Sequence, residues 1–228
     1  MPQTILTPIA HIHSDFSQKF GIPRQSGLVE QLTARIVFEE PFRNRDAIRG
    51  IEGFSHLWLI WQFSEALTNE FRPTVRPPRL GGNRRVGVFA SRAPYRPNGL
   101  GLSCVRLLAV EETSEGPALC VAGADLLDGT PIFDIKPYLP FADCRPNATP
   151  GYTAETVEHK LRVVCDEHIL EQVPKEKRDA LIGVLACDPR PGYEDNPDVE
   201  YGLAFAEFDI GFRVSGEELR VTRIELKK

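Results

Sequence analysis

The sequence predicts a mainly β protein, with a single-sheet β-barrel domain over residues 1–148 and a smaller α+β domain over residues 149–228. Short apolar runs separated by Gly/Pro-rich turns fill the first 146 residues, which is typical of a barrel. After "DCRPNATPGYTAET" the apolar residues change to a helical spacing. With 228 residues, 42% hydrophobic and 26% charged, the chain has the composition of an ordinary globular protein that can bury a core.

Seven runs in the first part have the length and composition of strands. They are "TPIAHIH", "ARIVFE", "HLWLIWQF", "RVGVFAS", "LSCVRLLAV", "ALCVAGADLL" and "IFDIKPYL". A short helical segment is expected near "RNRDAIRGIEG". Because strands and helices do not alternate, the pattern argues against a doubly wound α/β fold.

The C-terminal part mixes both kinds of pattern. A strand is expected within "VEHKLRVVCD", and "EHILEQVPKEKRDALIGVLACD" has helical spacing interrupted by Pro174. The stretch "YGLAFAEFDIGFRVSGEELRVTRIEL" then alternates every second residue around a Ser-Gly turn, which predicts a β-hairpin.

Several classes of protein are disfavoured by what the sequence lacks. No apolar run approaches the roughly 20 residues of a membrane span, and "MPQTILTPIA" is unlike a secretory signal, so we expect a cytoplasmic protein without a membrane partner. The five cysteines are scattered and never form CxxC, which indicates reduced thiols. The histidines show no metal-binding spacing, so no metal is expected.

Positive charge is concentrated in one stretch of an otherwise acidic chain. The net charge is −5, yet residues 71–110 contain eight arginines and no Asp, Glu or Lys, so the rest of the chain sums to −13. Arginine suits bidentate contact with phosphate or carboxylate. The stretch therefore indicates an anionic ligand, RNA or nucleotide foremost; the alternative is that carboxylates from elsewhere in the fold pair with these arginines.

The segment "RLGGNRRVGVFASRAPYRPNGLGLS" combines these arginines with glycine and proline. Glycines allow close backbone approach to a ligand and prolines stiffen a loop, so an anion or nucleotide site is one interpretation and a structural turn is the other. The Gly99–Gly101 pair is not part of a dinucleotide fingerprint, because Cys104 stands where the third glycine belongs.

Three carboxylates, Asp125, Asp128 and Asp134, lie in "ADLLDGTPIFDIKPYLPF" near Lys136 and Tyr138. Their spacing matches no calcium loop, although they could orient ribose hydroxyls or face a cationic ligand. The Asp128-Gly129 dipeptide also has a purely structural interpretation as a tight turn.

Near the end of the predicted helix, "CDPRPGY" places Arg190 between two prolines and close to Tyr193. We expect an extended, exposed arginine beside an aromatic ring, which suits phosphate contact with base stacking. Proline after a helix end is also common for structural reasons alone.

Taken in order, "FGIPRQSGLV", "RGIEGFSHLWLI", "FRPTVRPPRLGGNRRVGVFASRAPYRPN", "LLDGTPIFDIKPYLPF" and "DPRPGY" resemble the TsaA/TrmO family. That family consists of S-adenosylmethionine-dependent methyltransferases acting on N6-threonylcarbamoyladenosine in tRNA. The resemblance implies an N-terminal barrel that binds S-adenosylmethionine without a Rossmann domain, and a homodimer with cofactor pockets near the subunit interface. It also implies a smaller C-terminal domain, which we expect to assist tRNA binding; DNA is not expected as a partner.

By motif, the resemblance assigns cofactor contacts to Pro23, Arg24, Gln25, Phe63, Ser64, Arg92, Leu102, Leu127, Asp128, Gly129 and Thr130. Ser64 departs from the family pattern, where histidine is frequent. The candidates for tRNA contact are Arg76, Arg79, Arg84, Arg85, Arg96, Arg190 and Tyr193.

The implied reaction moves a methyl group to N6 of the modified adenosine next to the anticodon. Asp128, Asp134 and Tyr138 are candidates for accepting the proton, and the sequence does not choose among them. Arg92 or Arg96 could clamp the threonyl carboxylate of the substrate. Two other functions stay open: a non-catalytic RNA-binding barrel, and a metal-dependent phosphoester hydrolase that uses the three aspartates.

Overall fold

Within the residues that the structure describes, twelve strands, three short α-helices and several 3₁₀ turns form the regular secondary structure. The computed structural model describes residues 5–66, 70–77, 80, 84–155, 160–190 and 196–227. The strands are β1 (Ala10–His13), β2 (Thr33–Phe38), β3 (His56–Gln62), β4 (Thr74–Val75), β5 (Val86–Gly87), β6 (Leu100–Thr113), β7 (Gly116–Ala122), β8 (Thr130–Pro137), β9 (Arg162–Val164), β10 (Tyr201–Phe205), β11 (Phe208–Ser215) and β12 (Glu218–Leu226). The helices are α1 (Pro140–Asp143), α2 (Glu167–Leu170) and α3 (Lys175–Ala186).

The largest sheet is antiparallel throughout and has the strand order β1-β2-β7-β6-β3-β8. Strand β8 also pairs with β1, so the sheet closes on itself and leaves no edge. On β3 the inward residues are Leu57, Leu59 and Trp61, which alternate with partly exposed ones as a half-buried strand requires. The prediction of a mainly β protein is confirmed.

Because all six pairings are antiparallel, strand directions alternate around the barrel. Three connections therefore leave from the same end: residues 14–32 between β1 and β2, residues 63–99 between β3 and β6, and residues 123–129 between β7 and β8. We call this end of the barrel the site end. The opposite end holds the short turn between β6 and β7 and the chain that follows β8.

Two predicted strands differ from the observed ones. In "RVGVFAS" only Val86–Gly87 is extended; this pair meets the two-residue β4 outside the barrel, and a 3₁₀ turn follows at Val88–Ala90. In "ALCVAGADLL" the strand ends at Ala122, because Gly123 takes a left-handed conformation with φ of 77° and turns the chain away. The helical segment expected near residue 48 is present as short 3₁₀ turns.

The C-terminal sheet has the strand order β10-β11-β12-β9, and β9 is parallel to β12. The predicted hairpin is confirmed: Ser215 pairs with Glu218 across a turn at Gly216, which has φ of 58°. Pro174 separates α2 from α3, as predicted, and caps the start of α3. Helix α3 buries Ala180, Leu181, Val184 and Leu185 against the sheet.

The crossover segment, residues 14–32, connects two barrel strands but packs in the core of the C-terminal sheet. Phe16, Val29 and Leu32 are buried in that core, and the Phe16 ring meets Phe205 edge-on at a centroid distance of 5.8 Å. Lys177 of α3 pairs with Asp15 at 2.5 Å. The C-terminal core thus holds in place a loop that begins and ends at the barrel.

Within the residues described above, no helix is both long enough and apolar enough to cross a bilayer.

Truncation of Phe16 to Ala should lower the free energy of unfolding by about 3–5 kcal/mol, because it leaves a cavity between the crossover segment and Phe205. Phe141→Ala is the matched control, since Phe141 is 84% exposed and its loss should change stability by less than about 0.5 kcal/mol. Urea denaturation followed by far-UV circular dichroism measures both. Equal, small losses would show that the segment is not anchored in this core.

Candidate active site

The crossover segment and the β7–β8 connection meet at the site end through two glycines. The Gly27 N–H donates to the Gly123 carbonyl at 2.8 Å, and the Gly123 N–H donates to the Leu32 carbonyl at 2.8 Å. A Cβ on Gly123 would lie 3.3 Å from the backbone of Gly27, so this approach requires glycine. The residues just before Gly27, which include Arg24 and Gln25, are therefore fixed beside residues 123–126.

A chain of polar groups leads from the barrel interior to this junction. The Trp61 indole N–H donates to Ser103 Oγ at 2.9 Å, and the Ser103 hydroxyl donates to Asp125 Oδ1 at 2.6 Å. The backbone N–H of Ser26 also hydrogen-bonds to the Asp125 carboxylate. The Ser26 hydroxyl in turn accepts the Cys104 N–H at 3.0 Å, so one network joins the crossover segment to β6 and to Asp125.

Asp125 is the most unusual ionisable group in this network. Burial raises the pKa of its carboxyl above the ordinary value, while hydrogen bonds from Ser103 and from backbone N–H groups and the charge of Arg92 act in the opposite direction. Because the folded pKa is raised, ionised Asp125 costs folding free energy at neutral pH. That cost disappears as the pH falls below the pKa of an unfolded aspartate.

Sequence reasoning noted Asp125 but did not assign it to the cofactor site, and it missed Ser103 and Trp61 altogether. The one available signal was an acid inside the apolar run "AGADLL", where a charge has to find partners. The partners come from β3, β6 and the crossover segment, which only the fold brings together.

Arg92 and Gln25 form the second part of the site. Arg92 Nη1 donates to Gln25 Oε1 at 2.5 Å, although the two residues are 67 positions apart. The Arg92 side chain is exposed, and its loop is shaped by Ser91, whose hydroxyl donates to the Val88 carbonyl at 2.9 Å. Arg24 Nη2 donates to the carbonyl of Arg190 at 3.3 Å, which ties the same loop to the C-terminal domain.

Aromatic and aliphatic groups complete the site end. Phe63 packs edge-on against Trp61 at a centroid distance of 4.3 Å, and its N–H donates to the Gly99 carbonyl. Ser64 begins a 3₁₀ turn directly after it. Leu102 lies on β6 opposite Ile60 and is 52% exposed, while Pro23 is buried.

The "LLDGT" turn is held by β1 at the same end of the barrel. Asp128 Oδ1 accepts the Ser14 N–H at 3.1 Å and lies 3.4 Å from His13 Nδ1. The Gly129 N–H donates to the Ile12 carbonyl, and the buried Thr130 hydroxyl donates to the Leu127 carbonyl. The turn is rigid and exposes the Asp128 carboxylate.

The three candidate proton acceptors do not converge. Asp128 precedes β8 at the site end, whereas Tyr138 follows β8 at the other end of this eight-residue strand, roughly 25 Å away along the chain. Tyr138 packs against Trp58 at a centroid distance of 5.8 Å, and Asp134 in mid-strand pairs with Lys136 at 2.7 Å. Only Asp128 lies beside the predicted cofactor residues of its own chain.

Most of the arginines in residues 71–110 remain without a carboxylate partner. Among the residues that the structure describes, no ion pair involves Arg72, Arg76, Arg85, Arg92, Arg96 or Arg106. Arg96 instead donates to the carbonyls of Val88 and Ser91, and Arg85 donates to Thr74 Oγ1 at 3.3 Å. Arg84 lies just before β5, and Arg79 falls outside the described residues. The interpretation in which distant carboxylates form ion pairs with this stretch is therefore wrong for these six, although the Arg92 charge acts on Asp125 without a direct pair.

The prediction that Arg190 is exposed is also wrong. Arg190 is 6% exposed, and its guanidinium makes two hydrogen bonds to Asp188, from Nε to Oδ1 at 3.0 Å and from Nη2 to Oδ2 at 3.2 Å. A buried guanidinium needs such a partner, and Asp188 provides it from a left-handed conformation with φ of 51°. Arg190 in this structure thus supports the loop rather than presenting a charge for phosphate. Tyr193 lies outside the described residues.

A cavity of about 490 Å³ lies between the crossover segment and the end of α3. It is lined by Lys19–Arg24 on one side and by Val184 and Cys187–Arg190 on the other. No group of three or more His, Cys, Asp or Glu side chains within the described part of the chain is arranged to hold a metal ion.

The fold and the site define a class of protein: a barrel with a candidate ligand site in the loops at one end and, among the described residues, no dinucleotide-binding helix. The family model of the tRNA-methyltransferase O N-terminal domain matches residues 11–144, and that of the TrmO C-terminal domain matches residues 158–227. The chain belongs to the tRNA-methyltransferase O family, as its motifs predicted.

Individual relatives agree with this assignment. The chain is 39% identical over 225 residues to the tRNA (adenine(37)-N6)-methyltransferase of Escherichia coli K12, covering 95% of this chain and 96% of that one. It is 41% identical over 214 residues, 90% of each chain, to a protein of Pseudomonas aeruginosa named putative S-adenosylmethionine-dependent methyltransferase RcsF. A crystal structure of TrmO from P. aeruginosa superposes with a TM-score of 0.81 at 31% identity, covering 100% of this chain and 99% of that one.

Asp188→Asn should lower the free energy of unfolding by about 3–5 kcal/mol, because it leaves the buried Arg190 charge without its carboxylate. Asparagine tolerates the left-handed backbone, so the loss reports the charge. Thermal and urea denaturation measure it, and the double variant Asp188→Asn/Arg190→Met should lose less than the two single losses together.

The control for this pair is Glu218→Gln, which removes a partly exposed partner of the exposed Arg162 and Arg220 and should cost less than about 1 kcal/mol. Additive losses in the double variant would contradict a direct pairing of Asp188 with Arg190.

Proposed function

We propose that this chain is an S-adenosylmethionine-dependent tRNA methyltransferase that methylates N6 of N6-threonylcarbamoyladenosine next to the anticodon. Family membership supports the reaction class. The observation that supports the site is that Arg24, Gln25, Phe63, Arg92 and the "LLDGT" turn, from three separate connections, all lie at one end of one barrel.

The chemistry of these residues fits the methyl donor. Its amino acid end is an ion, and the Arg92 guanidinium braced by Gln25 can bind a carboxylate through two hydrogen bonds. Its adenine ring is flat and apolar on both faces, and Phe63 and the exposed Leu102 offer apolar surface of that kind. Gly27 and Gly129 adopt left-handed backbone conformations that shape the surrounding loops, and Pro23 restricts the backbone of the same segment as Gly27.

When bound, S-adenosylmethionine supplies a methyl group that is already activated on a sulfonium. The task of the protein is therefore alignment, and rigid positioning of two reactants can lower a barrier by roughly 7–11 kcal/mol. The short hydrogen bonds around Asp125 and the turn held by β1 provide that rigidity at the site end.

The acceptor nitrogen is a weak nucleophile because its lone pair is delocalised into the purine and the carbamoyl group. Removal of its proton aids attack, and a carboxylate within hydrogen-bond reach can accept it. Asp128 is the candidate at the site end, whereas Asp134 and Tyr138 of the same chain lie farther along β8. Within one chain, we therefore assign Asp128 to this role.

The unpaired arginines are proposed to bind tRNA. Of these, Arg72, Arg76 and Arg85 are exposed, and exposed arginine side chains contact phosphates without reading sequence. Arg84, which precedes Arg85 in the chain, is exposed as well and belongs to the same proposed surface. Phe71 and Phe89 stack on each other at 6.2 Å and are 59% and 72% exposed, so they offer faces for splayed anticodon bases. Arg96 lies over Phe89 and braces this pair.

The proposal also covers the domain boundary, the oligomeric state and the cellular location of the protein. The boundary at residue 148/149 separates the barrel from a C-terminal domain that supports the cofactor loop and assists tRNA binding. We also propose a homodimer, supported by the exposed apolar side chain of Leu102 at the site end, and a cytoplasmic enzyme acting on tRNA and not on DNA. The polar residues gathered at the site end favour an enzyme over the alternative, a non-catalytic RNA-binding barrel, which would not need them.

Labelled methyl transfer from S-adenosylmethionine tests the function directly. Purified protein should methylate tRNA that carries the threonylcarbamoyl group and leave tRNA without it unlabelled. Arg92→Ala should lower the rate at subsaturating donor about 100-fold, because a charge-assisted clamp is lost, while the melting temperature stays unchanged.

The control is Arg49→Ala, an exposed arginine paired only with Asp46, which should retain wild-type activity. A fully active Arg92→Ala enzyme would remove Arg92 from the site. Tight tRNA binding without any methyl transfer would favour the non-catalytic alternative.

The affinity for tRNA should fall steeply as salt increases, because each phosphate contact releases counter-ions. In a plot of log affinity against log salt, Arg76→Ala should reduce the slope by about 0.7–0.9, the loss of one phosphate contact, and Arg49→Ala should not change it. Filter binding at several salt concentrations measures this. A flat salt dependence of the wild-type protein would exclude the arginine surface as the tRNA site.

A further inference from the structure

Asp125 differs from the other carboxylates of the site in the partners it has. Asp128 lies 3.4 Å from a histidine and Asp134 lies 2.7 Å from a lysine. Among the described residues, Asp125 has no ion pair within 4 Å; its direct partners are the Ser103 hydroxyl and backbone N–H groups, all of which are neutral. Asp125 is therefore a carboxylate of the site that has no cationic group in direct contact within the described residues.

Arg92 is the cation whose charge acts on Asp125, and it does not form an ion pair with this carboxylate. The Arg92 charge acts on Asp125 through space, yet Arg92 makes its hydrogen bond to Gln25 and forms no direct pair with the carboxylate. Arg92 is bonded to Gln25 and Asp125 to the next residue, Ser26, so the loop places a guanidinium and a carboxylate at the same end of the barrel without joining them. Such a pair of separated, opposite charges is the complement of an α-amino acid, which carries an ammonium and a carboxylate on one carbon.

Partial burial makes Asp125 suited to a charged ligand. Desolvation raises the pKa of this carboxyl, which means that the ionised form lacks stabilisation that water would give it. An ammonium group that replaces the missing water gains a strong charge-assisted hydrogen bond. The side chain keeps some exposure, so a ligand at the site end can reach it.

The barrel interior fixes the direction of this carboxylate. Ser103 is 1% exposed and donates its proton to Asp125 Oδ1, because its own oxygen accepts from the Trp61 indole. The Trp61 ring packs directly on Gly101, where a Cβ would overlap it, and against Phe63 on another side, so its position is well defined. A carboxylate has about four acceptor positions, and the Ser103 hydroxyl and two backbone N–H groups occupy three of them, so one is left to accept a hydrogen bond from a ligand.

We propose that Asp125 and Arg92 together bind the amino acid end of the methyl donor, with Asp125 accepting a hydrogen bond from its α-ammonium group and Arg92 binding its carboxylate. This inference rests on the proposed function. It assigns to Asp125 a role in ligand recognition that is distinct from the role of Asp128 in proton transfer.

Calorimetry with three ligands tests the assignment. The ligands are S-adenosylhomocysteine, its analogue without the amino group, 4-(5′-adenosylthio)butyrate, and 5′-methylthioadenosine, which has no amino acid end. The wild-type protein should bind S-adenosylhomocysteine at least about 10-fold more tightly than the desamino analogue, because a hydrogen bond to a charged group is lost. This comparison requires no variant.

Asp125→Asn should weaken S-adenosylhomocysteine about 10-fold and change the other two affinities by less than about twofold. Its melting temperature at pH 7 should equal or exceed that of the wild type, because the amide avoids the cost of a desolvated charge. Asp46→Asn, an exposed acid paired with Arg49, is the matched control and should leave all three affinities unchanged.

The outcomes distinguish failure of the ammonium contact from failure of the proposed function. If Asp125→Asn weakens all three ligands equally, or none of them, the ammonium contact is wrong while the methyltransferase assignment stands. If the wild-type protein binds the desamino analogue as tightly as S-adenosylhomocysteine, the contact is again overturned. If the wild type binds none of the ligands, the proposed function itself fails, and the inference with it.

Discussion

Closure of the first sheet is the constraint on which the rest of the site depends. Six antiparallel strands that return to β1 leave no edge, and their alternating directions send three long connections to the same end. The cofactor candidates are spread over residues 23–130, yet every one of them lies in these connections or at the adjoining ends of strands. Loops held by a closed barrel have fixed ends, which is how loop residues gain the accuracy that catalysis needs.

The second constraint is that the C-terminal core stabilises a barrel loop. Phe16, Val29 and Leu32 fill the core formed by α3 and the second sheet, and Arg24 bonds to the backbone of Arg190. The buried Asp188–Arg190 pair fixes that backbone in turn. The C-terminal domain therefore influences the cofactor loop through packing, and changes far from the barrel can alter the geometry of Arg24 and Gln25.

Two kinds of arginine occur in this protein, and burial separates them. Arg72, Arg76 and Arg85 are exposed and form no ion pair within the described residues, which suits a polyanion that many side chains contact weakly. Arg190 is buried, and its guanidinium donates two hydrogen bonds to the Asp188 carboxylate. The same residue type thus stays charged and accessible on the surface but needs a carboxylate partner in the interior, because a buried charge must be neutralised locally.

The sequence by itself determined the mainly β fold, the helical segment broken at Pro174, the hairpin at Ser215 and Gly216, and the family, since these depend on local periodicity, turn residues and motifs. Only the tertiary structure decided that Arg190 is buried, that Tyr138 lies at the opposite end of β8 from Asp128, and that Asp125 joins the site. The physical reason is range: alternation and turn chemistry act over a few residues. The network of Trp61, Ser103, Asp125 and Ser26 instead requires strands from distant parts of the chain to be paired in register.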